Sequence, residues 1–113
     1  MISETEKRLA EESLQRYCRE RIPARVRDKL RLTFRWRGSI VTLIVERPYF
    51  LDHGRWTSRP MAQFRYYEPK KRWILYCADR NSRWHLYDEA EPAAAIQTLL
   101  EEVTRDPTGI FWG

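Results

Sequence analysis

Apolar and polar side chains alternate with a period of two through residues 30–37, Leu-Arg-Leu-Thr-Phe-Arg-Trp-Arg. This alternation is typical of a β-strand that buries one face. Gly38-Ser39 can form a two-residue type II′ turn into a second apolar run, and that turn fixes the register. The predicted core-face pairs are Trp36 with Val41, Phe34 with Leu43 and Leu32 with Val45; the opposite face receives Arg31 with Glu46, Thr33 with Ile44 and Arg35 with Thr42.

Three further strands are predicted at residues 61–67, 72–78 and 83–88, with turns at 68–71 and 79–82. A four-residue turn at 79–82 would pair Cys77 with Trp84 and Tyr76 with His85. The core face would then hold Ala62, Phe64, Tyr66, Trp73, Leu75, Cys77, Trp84 and Leu86, and the other face Arg65, Tyr67, Arg72, Ile74, Tyr76, Arg83, His85 and Tyr87.

Two segments have helical spacing. Ser3 and Glu6 fit a capping box at the start of a helix over residues 4–21, which Pro23 would end. Pro92 is suited to the first turn of a second helix, in which Ile96, Leu99, Leu100 and Val103 form an apolar stripe. The sequence therefore predicts an α+β fold, a single two-layer domain over residues 1–113 with a five-stranded antiparallel sheet and the N-terminal and C-terminal helices on one face.

The segment from Pro48 to Pro60 is predicted to be a 13-residue connection, which is long for a compact domain. Long loops often carry function, so this loop is the natural place for a catalytic site if the protein is an enzyme.

Basic residues are clustered along the chain. Residues 14–37 carry nine Lys or Arg against two acids, and residues 61–85 carry six against two. The segment from residue 86 reverses this balance, with six acids and one arginine. Arginine outnumbers lysine 17 to 4, as suits bidentate recognition of phosphate, although a GC-rich genome raises arginine content too. The clustering is not explained by codon bias.

No apolar run is long enough to span a membrane, and Met-Ile-Ser-Glu-Thr-Glu does not have the form of a signal peptide. We therefore expect a cytoplasmic protein with no membrane partner. Cys18 and Cys77 match neither a CxxC pair nor a secreted disulfide framework, so we expect buried free thiols.

Several short stretches together resemble a known family: a helix with Tyr17-Cys18, the Pro23 connector, Glu46-Arg47-Pro48, Trp73 with Tyr76, Trp84-His85-Leu86-Tyr87 and Phe111-Trp112-Gly113. They resemble a family of small bacterial proteins catalogued as a domain of unknown function, number three thousand and twenty-four. The similarity covers nearly the whole chain. It implies a fold but no activity, cofactor or site residues.

The sequence gives little support for a catalytic site or a metal site. Cys18, Cys77, His53 and His85 show no close pair of the kind zinc sites use, so no metal or cofactor is expected. The predicted register puts Cys77 and His85 on opposite faces, which argues against a thiol–imidazole pair. The acids available for metal-assisted hydrolysis are Asp52, Glu46, Glu68 and Asp79, and none has a lysine beside it on a neighbouring strand. No catalytic residue is assigned.

The open face of the sheet carries the strongest signal. Cations beside aromatic rings can neutralise phosphates while bases stack. The candidate nucleic-acid-binding residues are Arg31, Arg35, Arg37, Arg65, Arg72, Arg83, Tyr67, Tyr76, His85 and Tyr87. Arg and Tyr are also ordinary residents of an exposed antiparallel face. The sequence predicts a non-enzymatic module that binds DNA or RNA through this face. The alternative is a protein-interaction or homodimerisation domain in which Ile40, Ile44 and Ile74 form an apolar patch on the same face.

Overall fold

The structure is a computed structural model that describes residues 2–112, except for the side chain of His53. These residues form a single antiparallel sheet with strand order β1-β2-β3-β4-β5 and two α-helices. The elements are α1 (Glu4–Arg21), β1 (Arg31–Arg37), β2 (Ile40–Tyr49), β3 (Asp52–Tyr67), β4 (Arg72–Ala78), β5 (Trp84–Leu86) and α2 (Ile96–Arg105). The predicted α+β fold class is confirmed.

Helix α1 begins where its sequence predicts. The Ser3 hydroxyl accepts a hydrogen bond from the Glu6 backbone N–H at 3.1 Å, which satisfies one of the free donors at the helix start. The β1–β2 hairpin also has the predicted register, from Arg31 opposite Glu46 to Arg37 opposite Ile40. Gly38 takes a φ of +59°, as a type II′ turn requires of its first central residue.

The predicted loop over residues 48–60 is wrong, because β2 and β3 continue through it as a long hairpin. Phe50 and Leu51 form its two-residue turn, with Tyr49 opposite Asp52. The prolines that suggested a loop lie at irregular places in the ladder. The register shifts where Ile44 meets Pro60, and again beyond Pro48. A residue without an N–H is tolerated at a bulge of this kind.

The β3–β4 register is as predicted, with Tyr67 opposite Arg72 and Ala62 opposite Cys77. The β4–β5 register is displaced by one residue from the prediction, because Cys77 pairs with His85 and Ala78 with Trp84.

The cause of this displacement is a three-residue loop. Asp79 pairs with Arg83 through a 2.9 Å backbone hydrogen bond, and Ser82 takes a left-handed φ of +61°. A type I turn followed by a left-handed residue forms such a loop. Since a shift of one residue exchanges the faces of a strand, Trp84 and Leu86 lie on the open face, and His85 and Tyr87 point to the helical side.

Helix α2 begins at Ile96, four residues after the predicted Pro92, because Ala93 first pairs with Trp73 through two backbone hydrogen bonds of 2.7 and 2.9 Å. The helix ends at Arg105 and is followed by Asp106, whose side chain accepts from the N–H groups of Phe111 and Trp112. The predicted stripe is confirmed, since Ile96, Leu99, Leu100 and Val103 are all buried.

The core lies between the helices and one face of the sheet. Side chains from both helices, among them Leu14 and Leu99, join Leu43, Phe64 and Leu75 in one cluster. The predicted burial of Phe34 and Trp36 is correct only in part. They lie on the core side but are half-buried, because β1 is an edge strand. The opposite face of the sheet has no helix over it among residues 2–112, and it holds the candidate site.

Candidate nucleic-acid interface

The open face contains a groove of about 760 Å³ that follows β2 from the β1–β2 turn toward the β2–β3 hairpin. Its lining is formed by Thr33, Arg35, Arg37, Gly38, Ile40, Thr42, Ile44, Glu46, Ser58, Pro60, Gln63, Arg65 and Trp84. Period-two alternation brings these side chains together, because each points away from the core-facing neighbours on its own strand. The bottom of the groove is therefore formed by apolar and hydroxyl-bearing side chains, and guanidinium groups lie along its length.

The arginines of this face form no ion pairs with acids among the described residues. Arg31, Arg35, Arg37, Arg65 and Arg72 lie on it, and no carboxylate of residues 2–112 comes within 4.0 Å of their guanidinium nitrogens. Glu46 also lines the groove without pairing to Arg31 opposite it. Arg35 and Arg37 are exposed. The site consequently presents positive charge that is available to an anion.

A buried amide organises the middle of the face. Gln63 is 9% exposed, donates from Nε2 to the Thr42 hydroxyl at 3.1 Å and accepts at Oε1 from Arg65 Nε at 2.7 Å. The Arg65 guanidinium carbon lies 3.8 Å from the centre of the Tyr76 ring. Both ends of the amide are thus satisfied, as burial requires. Its bond to Nε and the ring of Tyr76 hold the guanidinium in place on the open face, where a base could stack on it.

A second stack lies where the β2–β3 hairpin extends beyond the first residue of β1. The Arg31 guanidinium carbon is 3.7 Å from the centre of the Trp56 ring, and Arg31 Nε donates to the Arg27 carbonyl at 3.3 Å. Trp56 pairs with Pro48, two residues beyond Glu46, and so shares the open face. Arginine stacked on tryptophan can still direct its terminal Nη donors at a phosphate.

Trp84, which was predicted for the core, forms part of the groove lining and is half-buried. It supplies an aromatic surface beside the guanidinium groups. Sequence reasoning missed it because the left-handed Ser82 shortens the preceding turn. It missed Trp56 because the segment was assigned to a loop. The Asp79-to-Ser82 turn residues were a signal for a turn but did not determine its length.

Tyr67 and Tyr76 lie on the open face as predicted, and Tyr67 is 48% exposed. Tyr76 faces Arg65, so the guanidinium rather than the ring is presented to a ligand.

Tyr87 was predicted for this face and is instead buried beneath helix α2. Its hydroxyl donates to Glu102 Oε2 at 2.8 Å. Burial, together with the neighbouring Glu102 carboxylate, raises the pKa of Tyr87 to about 12.

His85 and Arg83 are also away from the open face. The His85 ring lies 2.7 Å from Asp79 Oδ2, and this bond, with those from the Arg83 and Asn81 N–H groups, lowers the pKa of the partly exposed Asp79 carboxyl. Arg83 pairs with Asp79 just before β5 and alternates to the same side as His85. The prediction that Arg83, His85 and Tyr87 lie on the open face is therefore wrong.

The thiols show no catalytic arrangement. Contrary to the predicted register, Cys77 is directly opposite His85, but its Sγ lies 3.6 Å from the backbone carbonyl of His85. Burial raises the pKa of Cys77, and it raises the pKa of Cys18 to about 11, so both thiols are protonated at neutral pH. No group of three or more metal-ligating side chains occurs in the described residues; the side chain of His53 is outside them.

The fold and its groove define a small two-layer α+β protein with a basic, aromatic-bearing open sheet face. A family model described as "Domain of unknown function (DUF3024)" matches residues 2–113, and the chain therefore belongs to this family. No curated protein and no solved structure matches the chain. Among the described residues, no helix has both the length and the apolar character needed to cross a membrane.

Proposed function

We propose that the protein binds single-stranded nucleic acid in the groove on its open sheet face, contacting phosphates more than base edges. The observation that carries this proposal is the row of arginines without acidic partners beside Trp84 and the two arginine–aromatic stacks. Phosphates are attracted to the guanidinium groups, and unpaired bases stack on rings or on guanidinium planes.

The dimensions suit this ligand. From Ile40 to Glu46 the groove follows six residue steps of β2, or about 20 Å at the usual rise of a strand. That length corresponds to about six stacked nucleotides at about 3.4 Å each, within the range of single-strand sites on sheet-based modules.

The alternatives lose support on this face. A face-to-face dimer through the groove would bury Arg35 and Arg37 of both copies, and burying a cation is costly unless an acid pairs with it. Ile40, Ile44 and Ile74 are half-buried, and Ile40 and Ile44 alternate with Thr42 and Glu46 along the open face of β2. The enzyme hypothesis depended on a long loop, and that segment is β2 and β3.

The test is fluorescence anisotropy with unrelated single-stranded oligonucleotides across a salt series. Changing Arg31, Arg35 and Arg37 together to glutamine should lower the slope of log affinity against log salt by about two units, since each phosphate contact contributes about 0.7 for single strands. Trp84→Ala should weaken single-stranded binding by about 1–3 kcal/mol if a base stacks there.

The matched control changes Arg8, Arg16 and Arg21 of helix α1 to glutamine. These exposed arginines carry the same charge and lie outside the groove lining, so this triple variant should keep most of the wild-type slope. Absence of binding at low salt, or equal losses in the two triple variants, would refute the proposal.

A further inference from the structure

The tip of the β2–β3 hairpin exposes large apolar side chains. Phe50 is 77% exposed and Leu51 is 72% exposed, the highest values for large apolar residues in the described part of the chain. They form the two-residue turn between Tyr49 and Asp52. Such exposure costs solvation, and it contributes nothing to the core, so it calls for a role outside folding.

Two aromatic rings and one guanidinium group pack together next to this tip. The Phe50 and Tyr49 rings meet edge to face at 5.2 Å, and the Arg55 guanidinium carbon lies 5.6 Å from the centre of the Tyr49 ring. The Asp52 carboxylate accepts from the Gly54 N–H at 3.0 Å, immediately after the turn. These contacts order the chain on both sides of the turn and leave the apolar tip exposed.

Positive charge surrounds the shaft of the hairpin. Arg47, Arg55 and Arg59 are exposed on it, and Arg59 Nη2 donates to the Phe111 carbonyl at 3.4 Å. No carboxylate of residues 2–112 comes within 4.0 Å of their guanidinium nitrogens. An apolar point with cationic flanks is complementary to a partner that has an anionic surface and a flat apolar end.

The hairpin also continues the proposed groove. The groove ends near Glu46 and Ser58, the Arg31–Trp56 stack comes next, and Phe50 lies about 13 Å beyond Glu46 along β2. A single nucleic-acid strand bound along the groove would pass Trp56 and continue toward the tip of the hairpin.

We propose that the Phe50–Leu51 tip stacks on the last base pair of a duplex at the point where one strand leaves it to enter the groove. The inference rests on the proposed function and specifies its substrate class as a junction between single-stranded and double-stranded nucleic acid. The exposed end of a duplex offers a flat apolar surface that no continuing base covers, and its flanking phosphates face the hairpin arginines.

The experiment compares three ligands by anisotropy at one salt concentration. They are a hairpin oligonucleotide with a single-stranded tail, an unpaired strand of the same total length, and a blunt hairpin without a tail. The wild type should bind the tailed hairpin on the order of tenfold more tightly than the unpaired strand, the effect of one additional stacked base pair.

The Phe50→Ala/Leu51→Ala variant should bring that ratio to about one and leave the affinity for the unpaired strand unchanged. The control variant, Leu9→Ala/Ile110→Ala, also removes exposed apolar side chains, which are 50% and 43% exposed and lie outside the hairpin. It should keep the wild-type ratio.

The two proposals fail in different ways. If the unpaired strand binds and the tailed hairpin gains nothing, or if the tip variant keeps the gain, the junction inference is overturned and the proposed function stands. If the unpaired strand does not bind, the proposed function fails with it. Tip-dependent binding to phosphatidylserine vesicles without a junction preference would assign the hairpin to a membrane surface, and tip-dependent dimerisation to a second copy; either overturns the inference.

Discussion

The two faces of the sheet use the same strands for different purposes. On the covered face, Val41, Leu43, Phe64 and Leu75 are at most 1% exposed and pack beneath both helices. On the open face, Arg35 and Arg37 are exposed and Trp84 is half-buried, so charge and an aromatic ring remain accessible. Because successive residues of a strand point to opposite faces, one residue contributes to the core and the next is available for binding. Substitutions on the open face should alter ligand binding with little effect on stability, and those on the covered face the reverse.

The largest expected effect contrasts Trp73 with Trp84. Trp73 is 1% exposed and lies 5.0 Å from the Tyr66 ring and 6.2 Å from the Trp36 ring. Trp73→Ala should therefore lower the free energy of unfolding by about 3–5 kcal/mol. Trp84→Ala, on the open face, should cost only about 1 kcal/mol because the ring is half-buried. Urea unfolding at neutral pH measures both values. Equal losses would mean that Trp84 belongs to the core and that the assignment of faces is wrong.

A smaller effect concerns Tyr87, the tyrosine that lies beneath helix α2 and not on the open face. Tyr87→Phe removes the hydrogen bond to Glu102 and should cost about 1.5 kcal/mol at neutral pH.

The pH dependence of this cost has a definite sign. The pKa of Tyr87 is raised from 10.0 to about 12 in the folded chain, so the folded state retains the proton more strongly than the unfolded state. Its contribution to stability is complete below pH 10 and is lost as the pH rises toward 12.

When unfolding free energies are measured from pH 8 to about 12, the advantage of the wild type over Tyr87→Phe should therefore shrink steadily as the pH rises above 10. A constant difference between wild type and Tyr87→Phe across this range would contradict the raised pKa.

Much of this architecture follows from the sequence because local chemistry determines it. The Ser3 cap, the glycine-first turn at Gly38 and the apolar stripe of α2 each depend on neighbours within a few residues. These features predict helix α1, the β1–β2 register and the buried face of α2.

The sequence-based predictions are wrong where a distant contact, or the conformation of a single residue, determines the local structure. The partner of Ala93 is Trp73, twenty residues away, and that pairing delays helix α2. In the segment of residues 48–60, cross-strand pairing overrides proline content and the lack of apolar alternation. At Ser82 the conformation of one residue decides which side chains of β5 reach the open face. Three of the predicted site residues were misplaced, and Trp84 was missed, through that residue alone.

The smallest expected effect tests this residue. Ser82 has a φ of +61°, a conformation that costs a residue with a Cβ about 1–2 kcal/mol. Ser82→Gly should therefore stabilise the protein, by about 0.5–1 kcal/mol after the larger entropy of glycine in the unfolded chain is subtracted. Its neighbour Asn81 has a negative φ, so Asn81→Gly should destabilise by up to about 1 kcal/mol. Thermal unfolding of the two variants measures the difference. If both substitutions destabilise equally, Ser82 is not left-handed. A four-residue turn would then return Trp84 and Leu86 to the covered face and remove Trp84 from the groove.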